Sequence, residues 1–152
     1  MSLVFLSLGS NLGNRRLNLK SALDRLGESA GRVIKSSGMR EYNAWGYESR
    51  NLFLNMAVEI ETLLGAYELL RVLKEIEGEM GRTQAGSGYT DRIIDIDIIF
   101  YDNLVMESEE LIIPHPLMHK RIFVLEPLAE IAGDFVHPVL NKSVFDLVGS
   151  PF

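Results

Sequence analysis

Two aspartates, Asp95 and Asp97, interrupt the apolar segment RIIDIDIIFY at residues 92–101. Seven of those ten residues are Ile, Phe or Tyr, the composition of a strand buried on at least one face. Side chains two positions apart on a strand share a face, with Cα atoms ~6.5–7 Å apart. Carboxylates that close repel one another, and burying either without a partner is costly. A positive charge must lie against that face.

Three readings compete for the pair. The aspartates are edge-strand charges in water or partners of Arg82 and Arg92; or they hold one structural ion, although few other carboxylates stand nearby in sequence; or they clamp one or two Mg²⁺ ions that bridge to a nucleoside triphosphate. Mg²⁺ takes one or two protein carboxylates together with phosphate and water oxygens, and paired ions stabilise in-line displacement at phosphorus. Cations recur where such a ligand would need them: Arg82, Arg92, His115, His119, Lys120 and Arg121 fall between positions 82 and 121. Guanidinium forks neutralise and orient phosphates. There is no GxxxxGK[ST] motif, which excludes a P-loop enzyme.

The elements that would position these residues follow from periodicity. LVFLSLG (3–9) reads as a buried strand ending at a glycine turn, and Leu19, Leu23 and Leu26 mark a helix from Arg15 to about Gly27 behind an Asn14 cap. RVIKSSGMREY (32–42) is a weaker strand. FLNMAVEIET (53–62) alternates, with Leu54, Met56, Val58 and Ile60 on one face and Phe53, Asn55, Ala57, Glu59 and Glu61 on the other. AYELLRVLKEIEGEMG (66–81) is an amphipathic helix along Leu69, Leu73, Ile76 and Met80. RTQAGSGYTD (82–91) has no apolar period and reads as a mobile loop, as does 43–51. After the aspartate strand, Asp102-Asn103 is expected to turn into a short hairpin with 104–106. A helix over about 124–131 and an irregular tail complete the chain.

Strand, helix, strand, strand, helix, strand is the split βαβ order of an α+β, ferredoxin-like antiparallel sheet, with both helices on one face and an active site on the other. Ile94, Ile96, Ile98 and Phe100 are then expected under the helices. Asp95 and Asp97 would share the free face with Phe53 and Asn55.

The 152 residues suit one domain over 1–152, and 47% apolar with 24% charged residues is ordinary for a soluble globular protein. The absence of Cys excludes disulfides and a thiolate nucleophile. The opening MSLVFLSLGSN lacks a basic leader segment, and no apolar run approaches a membrane span. A cytoplasmic monomer without membrane contact is the expectation. The net charge of −6 speaks against nucleic-acid binding but permits a local basic pocket for a phosphorylated small molecule. A small-molecule-binding regulatory module of the same shape, without chemistry, is the rival from another class.

Arg92-x-x-Asp95-Ile-Asp97, with the Arg82 loop before it and IPHPLMHKRIFVLEPLAEIA (113–132) after it, resembles 6-hydroxymethyl-7,8-dihydropterin pyrophosphokinase of folate biosynthesis. LGSNLGNR and FLNMAVEIET match that family's pattern in order, so the resemblance runs from about residue 3 to 138. It implies transfer of the β,γ-pyrophosphoryl unit of ATP to the pterin hydroxymethyl group, with AMP released and two Mg²⁺ ions held by Asp95 and Asp97. Arg82 and Arg92 match residues that reach the triphosphate, and His115 and Arg121 match phosphate and ribose contacts. Phe53 and Phe123 match two rings that stack on the pterin, and Asn55 matches its amide partner. Trp45 and Gly46 fall on the pterin-side loop, and Glu77 falls near the adenosine.

Taken singly, several of these residues read more plainly. Arg82 would be a cation at a helix C-terminus, Arg92 a salt-bridge partner of its own strand, His115 a turn residue, Phe53 and Phe123 core, Trp45 a loop anchor, and Glu77 a surface helix charge. The chain departs from the family pattern at Tyr89-Thr90-Asp91, where small residues or Gly-Pro usually precede the motif arginine, so that Asp91 would put a negative charge beside the phosphates. It lacks the usual prolines in YNAWG (42–46), and Glu110 and Ile112 replace basic or hydroxyl side chains.

Overall fold

The computed structural model describes residues 1–81 and 90–149. The elements are β1 (Ser2–Ser10), α1 (Arg15–Ser29), β2 (Arg32–Ser36), β3 (Arg40–Tyr42), β4 (Phe53–Thr62), α2 (Ala66–Glu79), β5 (Asp95–Tyr101), β6 (Met106–Glu107), β7 (Ile112–Ile113), α3 (Ile122–Ala132) and α4 (Val144–Gly149). The main sheet is antiparallel in the order β2-β4-β1-β5, with β3 also paired to β4. This is the expected split βαβ topology. Among the described residues no helix is long and apolar enough to cross a membrane.

Period-two alternation explains the main core. Val4, Leu6 and Leu8 of β1, Leu54, Met56, Val58 and Ile60 of β4, and Ile94, Ile96 and Ile98 pack with Leu19 and Leu26 of α1 and Leu69, Leu73 and Ile76 of α2. Asn14 caps α1, its side-chain oxygen accepting from the Leu17 N–H at 3.1 Å. Gly81, at φ +96, stands just past α2, as a left-handed helix stop does.

Four expectations are corrected. Phe100 does not lie under α1 and α2. β5 carries one residue more than β1 between the pairs Leu6↔Ile98 and Phe5↔Phe100, and this bulge at Ile99 flips the alternation. Phe100 therefore joins Phe5, Ala57 and Ile99 in a second core on the opposite face. That face is not left free. Val124, Leu125 and Leu128 of α3 and Val144 and Leu147 of α4 cover its apolar half. The C-terminal region is accordingly not an irregular tail, since α4 packs where coil was expected. Finally, the turn at Asp102 forms, with φ +48 and the Leu104 N–H bonded to the Tyr101 carbonyl, but β6 pairs with β7 rather than folding back on β5.

The weak strand over 32–42 is broken into β2 and β3 by Ser37-Gly38-Met39. The break is useful. Ser37 keeps Ala57 paired through its backbone and its hydroxyl, and the Gly38 N–H reaches a Glu130 carboxylate oxygen on α3 at 2.9 Å. Tyr42 donates to Glu126 of the same helix at 2.9 Å. Burial, reinforced by that carboxylate, pushes the Tyr42 hydroxyl up to about 12.

Candidate active site

The polar half of the face opposite α1 and α2 is assembled by register. Across the sheet, Gly9 stands between Asn55 and Asp95, and Ser7 stands between Ala57 and Asp97. Four polar or reactive side chains thus share two adjacent rows because three strands keep phase. Gly9 opens the floor. A Cβ there would lie 2.6 Å from the Asn55 amide nitrogen and 3.5 Å from the Phe53 ring. Asn55 is 4% exposed. Its amide nitrogen faces the Leu8 carbonyl at a long 3.4 Å, and among the described residues its Oδ1 has no hydrogen-bond partner. A buried acceptor without a donor costs free energy, which a ligand N–H would recover.

A cleft of about 420 Å³ lies over this floor. Of the residues singled out from the sequence, Trp45, Phe53, Asn55, Glu77, Arg92, Asp95, Asp97, His115, Arg121 and Phe123 line it together. Gly46 does not, although its φ of +84 sets the turn beside Trp45. Arg82 lies outside the described residues. One end of the cleft is aromatic. The Arg121 guanidinium sits 4.5 Å over the Trp45 ring and 5.7 Å from the Phe123 ring, and Phe123 and Tyr42 stand 6.4 Å apart. The other end runs past the β5 edge between Leu70 and Lys74 of α2 and residues 109–112.

The charges are arranged as the sequence required. Arg92 Nη1 lies 3.3 Å from Asp95, setting a cation against the aspartate row, and Arg92 Nε donates to the Thr90 carbonyl. Among the described residues no three Asp, Glu or His side chains converge on a metal position. Two hard carboxylates with space above them suit Mg²⁺ that completes its shell with phosphate and water oxygens. His115 is half-buried. Burial, with the Arg121 charge adding to it and Asp95 opposing, pushes its imidazole down to about 4, so it is neutral near pH 7. Its Nδ1 accepts from the Leu117 N–H at 3.2 Å, which puts the proton on Nε2 as a donor.

Glu77 is not a surface helix charge. It is 6% exposed, and its carboxylate accepts the Ile96 N–H at 2.8 Å. Ile96 lies between the two aspartates on β5, an edge strand whose outer N–H groups have no strand partner among the described residues. Glu77 therefore holds the aspartate segment in place.

Two residues escaped sequence reasoning, and a third was misread. Asn11 pairs with Arg92 through both backbones and through its side-chain oxygen on the Arg92 N–H at 2.7 Å. Tyr47 lines the cleft. Asp91 does not stand as a bare charge beside the phosphate site, because Ser49, Tyr47, Asn11 and Asn51 all donate to it at 2.7–2.9 Å. Those bonds, Ser49's first, hold its carboxyl below the usual range against a smaller opposing effect of burial. The only signal for Asn11 was its place in LGSN; nothing in spacing marked Asp91.

The sequence profile of the 7,8-dihydro-6-hydroxymethylpterin-pyrophosphokinase family matches residues 5–133. The chain belongs to this family. The 2-amino-4-hydroxy-6-hydroxymethyldihydropteridine pyrophosphokinases of Bacillus subtilis (strain 168) and Porphyromonas gingivalis (strain W83) are 44% and 43% identical to it. These matches cover 86% of the chain and 78% of the Bacillus protein, and 91% and 95% for Porphyromonas. Folic acid synthesis protein FOL1 of Dictyostelium discoideum is 40% identical over 92% of the chain, which spans only 21% of that longer protein. Among solved structures, wild-type Plasmodium falciparum HPPK-DHPS with pteroate superposes over 97% of this chain and 44% of that one. With a TM-score of 0.82 at 18% identity, that likeness shows the family fold alone.

Proposed function

We propose that the chain transfers the β,γ-pyrophosphoryl unit of ATP to the hydroxymethyl group of 6-hydroxymethyl-7,8-dihydropterin, giving AMP and the pterin diphosphate in folate biosynthesis. The observation that carries the reading is the floor of the cleft, where Asn55 and the two aspartates lie in adjacent rows across Gly9. A flat heterocycle held at Asn55 between aromatic side chains would present its hydroxymethyl arm toward Asp95 and Asp97.

In this reading Phe53 and Phe123 flank the pterin, Trp45 and Gly46 belong to the loop beside it, and Asn55 Oδ1 accepts a ring N–H. Arg92, Arg82, His115 and Arg121 serve the triphosphate side. The space along the β5 edge, beside Glu77, takes the adenosine. Two Mg²⁺ ions between Asp95, Asp97 and the phosphates would supply charge neutralisation and activation of the hydroxyl. The hydroxyl oxygen then bonds to the β-phosphorus as the bond to the α–β bridging oxygen breaks. AMP departs with that oxygen, and the hydroxyl proton passes to solvent. Arg92 is built for the positioning share of the work, because its backbone is pinned by Asn11 and its guanidinium by Thr90. One domain over 1–152, acting as a cytoplasmic monomer, completes the proposal.

The deciding assay follows nucleotide products. AMP should appear from ATP only when both hydroxymethyl-dihydropterin and Mg²⁺ are present, with no pyrophosphate released. Asp97→Ala should fall below a few per cent of wild-type turnover with little loss of fold stability, since the repulsion between two close carboxylates is relieved. Pterin-independent AMP release, or an active Asp97→Ala protein, would refute the reading.

A further inference from the structure

We propose that Asp91 is a positioning residue that ties the pterin-side loop 43–51 to the entry of the aspartate strand, making the two sides of the cleft one mechanical unit; this rests on the function proposed above. One Asp91 oxygen accepts from Ser49 at 2.7 Å, Tyr47 at 2.8 Å and Asn11 at 2.9 Å, and the other accepts from Asn51 at 2.9 Å. Three of those donors are on or beside a loop that supplies Asn43, Trp45 and Tyr47 to the cleft wall. The fourth, Asn11, closes the circuit, because its backbone and side-chain oxygen hold Arg92, the next residue. Arg92 in turn faces Asp95.

Among the described residues the loop is also held by the Asn11 amide, which donates to the Tyr47 hydroxyl at 3.2 Å and the Asn51 carbonyl at 3.4 Å, and by the Arg121 guanidinium over the Trp45 ring. The loop lacks regular structure, and the Ser49 hydroxyl, besides bonding Asp91, accepts from the Asn51 N–H within the same turn. An ionised carboxylate that gathers four side-chain donors forms strong, charge-assisted bonds.

The role predicts where damage falls. Asp91→Ala should free loop 43–51 and raise the KM for the pterin about tenfold or more, the factor carried by a lost charge-assisted bond. The KM for ATP should move less than about twofold. Ser49→Ala should raise the pterin KM more mildly, and the double variant should be no worse than Asp91→Ala alone, because both remove the same tie. Asp91→Asn, which keeps an acceptor, should recover part of the loss. Hydrogen exchange reads the tie without turnover: amides in 43–51 should lose protection in Asp91→Ala while β1 and β4 keep theirs. Unchanged exchange in 43–51, additive variants, or a loss falling on ATP would overturn the assignment. A wild-type protein that forms no AMP while the exchange result holds would sink the reaction and leave the tie standing.

Discussion

Gly9→Ala isolates the recognition floor from the rest of the protein. The added methyl would stand 2.6 Å from the Asn55 amide nitrogen, but 3.5 Å from the Phe53 ring and 3.6 Å from Asn55 Cγ, both ordinary contacts. One atom clashes, and it is the end of a side chain. Gly9 is not at positive φ, so the backbone accepts alanine. The amide must swing away, losing the 3.4 Å contact with the Leu8 carbonyl and entering a poorer rotamer. Together these cost about 1–2 kcal/mol of stability, at the mild end of overpacking. For a chain of this size that lowers the melting temperature by roughly 2–8 °C. The binding loss is larger, because the displaced group is the in-plane partner assigned to the pterin. Losing it costs about 1.5–3 kcal/mol, or roughly ten- to a hundredfold in affinity. Calorimetry should therefore give a pterin Kd weakened by that factor and a Kd for a non-hydrolysable MgATP analogue within about twofold of wild type. Equal weakening of both ligands would mean that the variant only loosens the fold, and an unchanged pterin Kd would remove Asn55 from the site.

Glu77→Ala should lower stability by about 1–3 kcal/mol, because the Ile96 N–H loses its acceptor beside the aspartates. Glu77→Gln keeps an acceptor oxygen and should recover most of that loss in urea melts; equal damage from both would mean that the carboxylate acts elsewhere. His115 contributes to acid sensitivity. Its folded pKa, about 4, lies below the ordinary 6.5, so the unfolded chain binds the extra proton first. The resulting stability is complete above pH 6.5 and is lost as pH falls towards 4, by up to about 3 kcal/mol at roughly 1.4 kcal/mol per unit. The difference in stability between wild type and His115→Gln, measured from pH 7 to 4, should shrink by that amount; a flat difference would contradict the assignment.

How much of this was legible in the sequence follows from what kind of force sets each feature. Alternation in 53–62 put Leu54 and Met56 on one face and Phe53 and Asn55 on the other, because a strand buried on one side has a single consistent phase. The same rule failed at Phe100, where one extra residue at Ile99 reverses the phase. Nothing in IIFY (98–101) distinguishes a bulged strand from a regular one, since all four apolar or aromatic residues suit either face. Glu77 was placed near the adenosine by resemblance and, taken singly, as a surface charge; its burial was not legible because it depends on an N–H of another element. Asp91 was misread for the same reason: a carboxylate's environment is set by donors as far away in sequence as Asn11.

The bulge also explains why one sheet face serves two purposes. Up to Asp97, that face of β5 carries carboxylates; from Ile99 it carries Ile99 and Phe100, which with Phe5 and Ala57 demand an apolar cover. α3 supplies that cover through Val124, Leu125 and Leu128, and its first turn therefore lies at the boundary between the core and the cleft. Arg121 and Phe123 reach the cleft because Val124 and Leu125, which follow Phe123, are anchored in the core. Tyr42 and Gly38 fasten the same helix through Glu126 and Glu130. The aromatic end of the cleft is thus held by packing at α3. The charged end is held by hydrogen bonds, Glu77 on Ile96 and Asn11 on Arg92. Core substitutions under α3 should disturb the first end and leave the aspartate row intact.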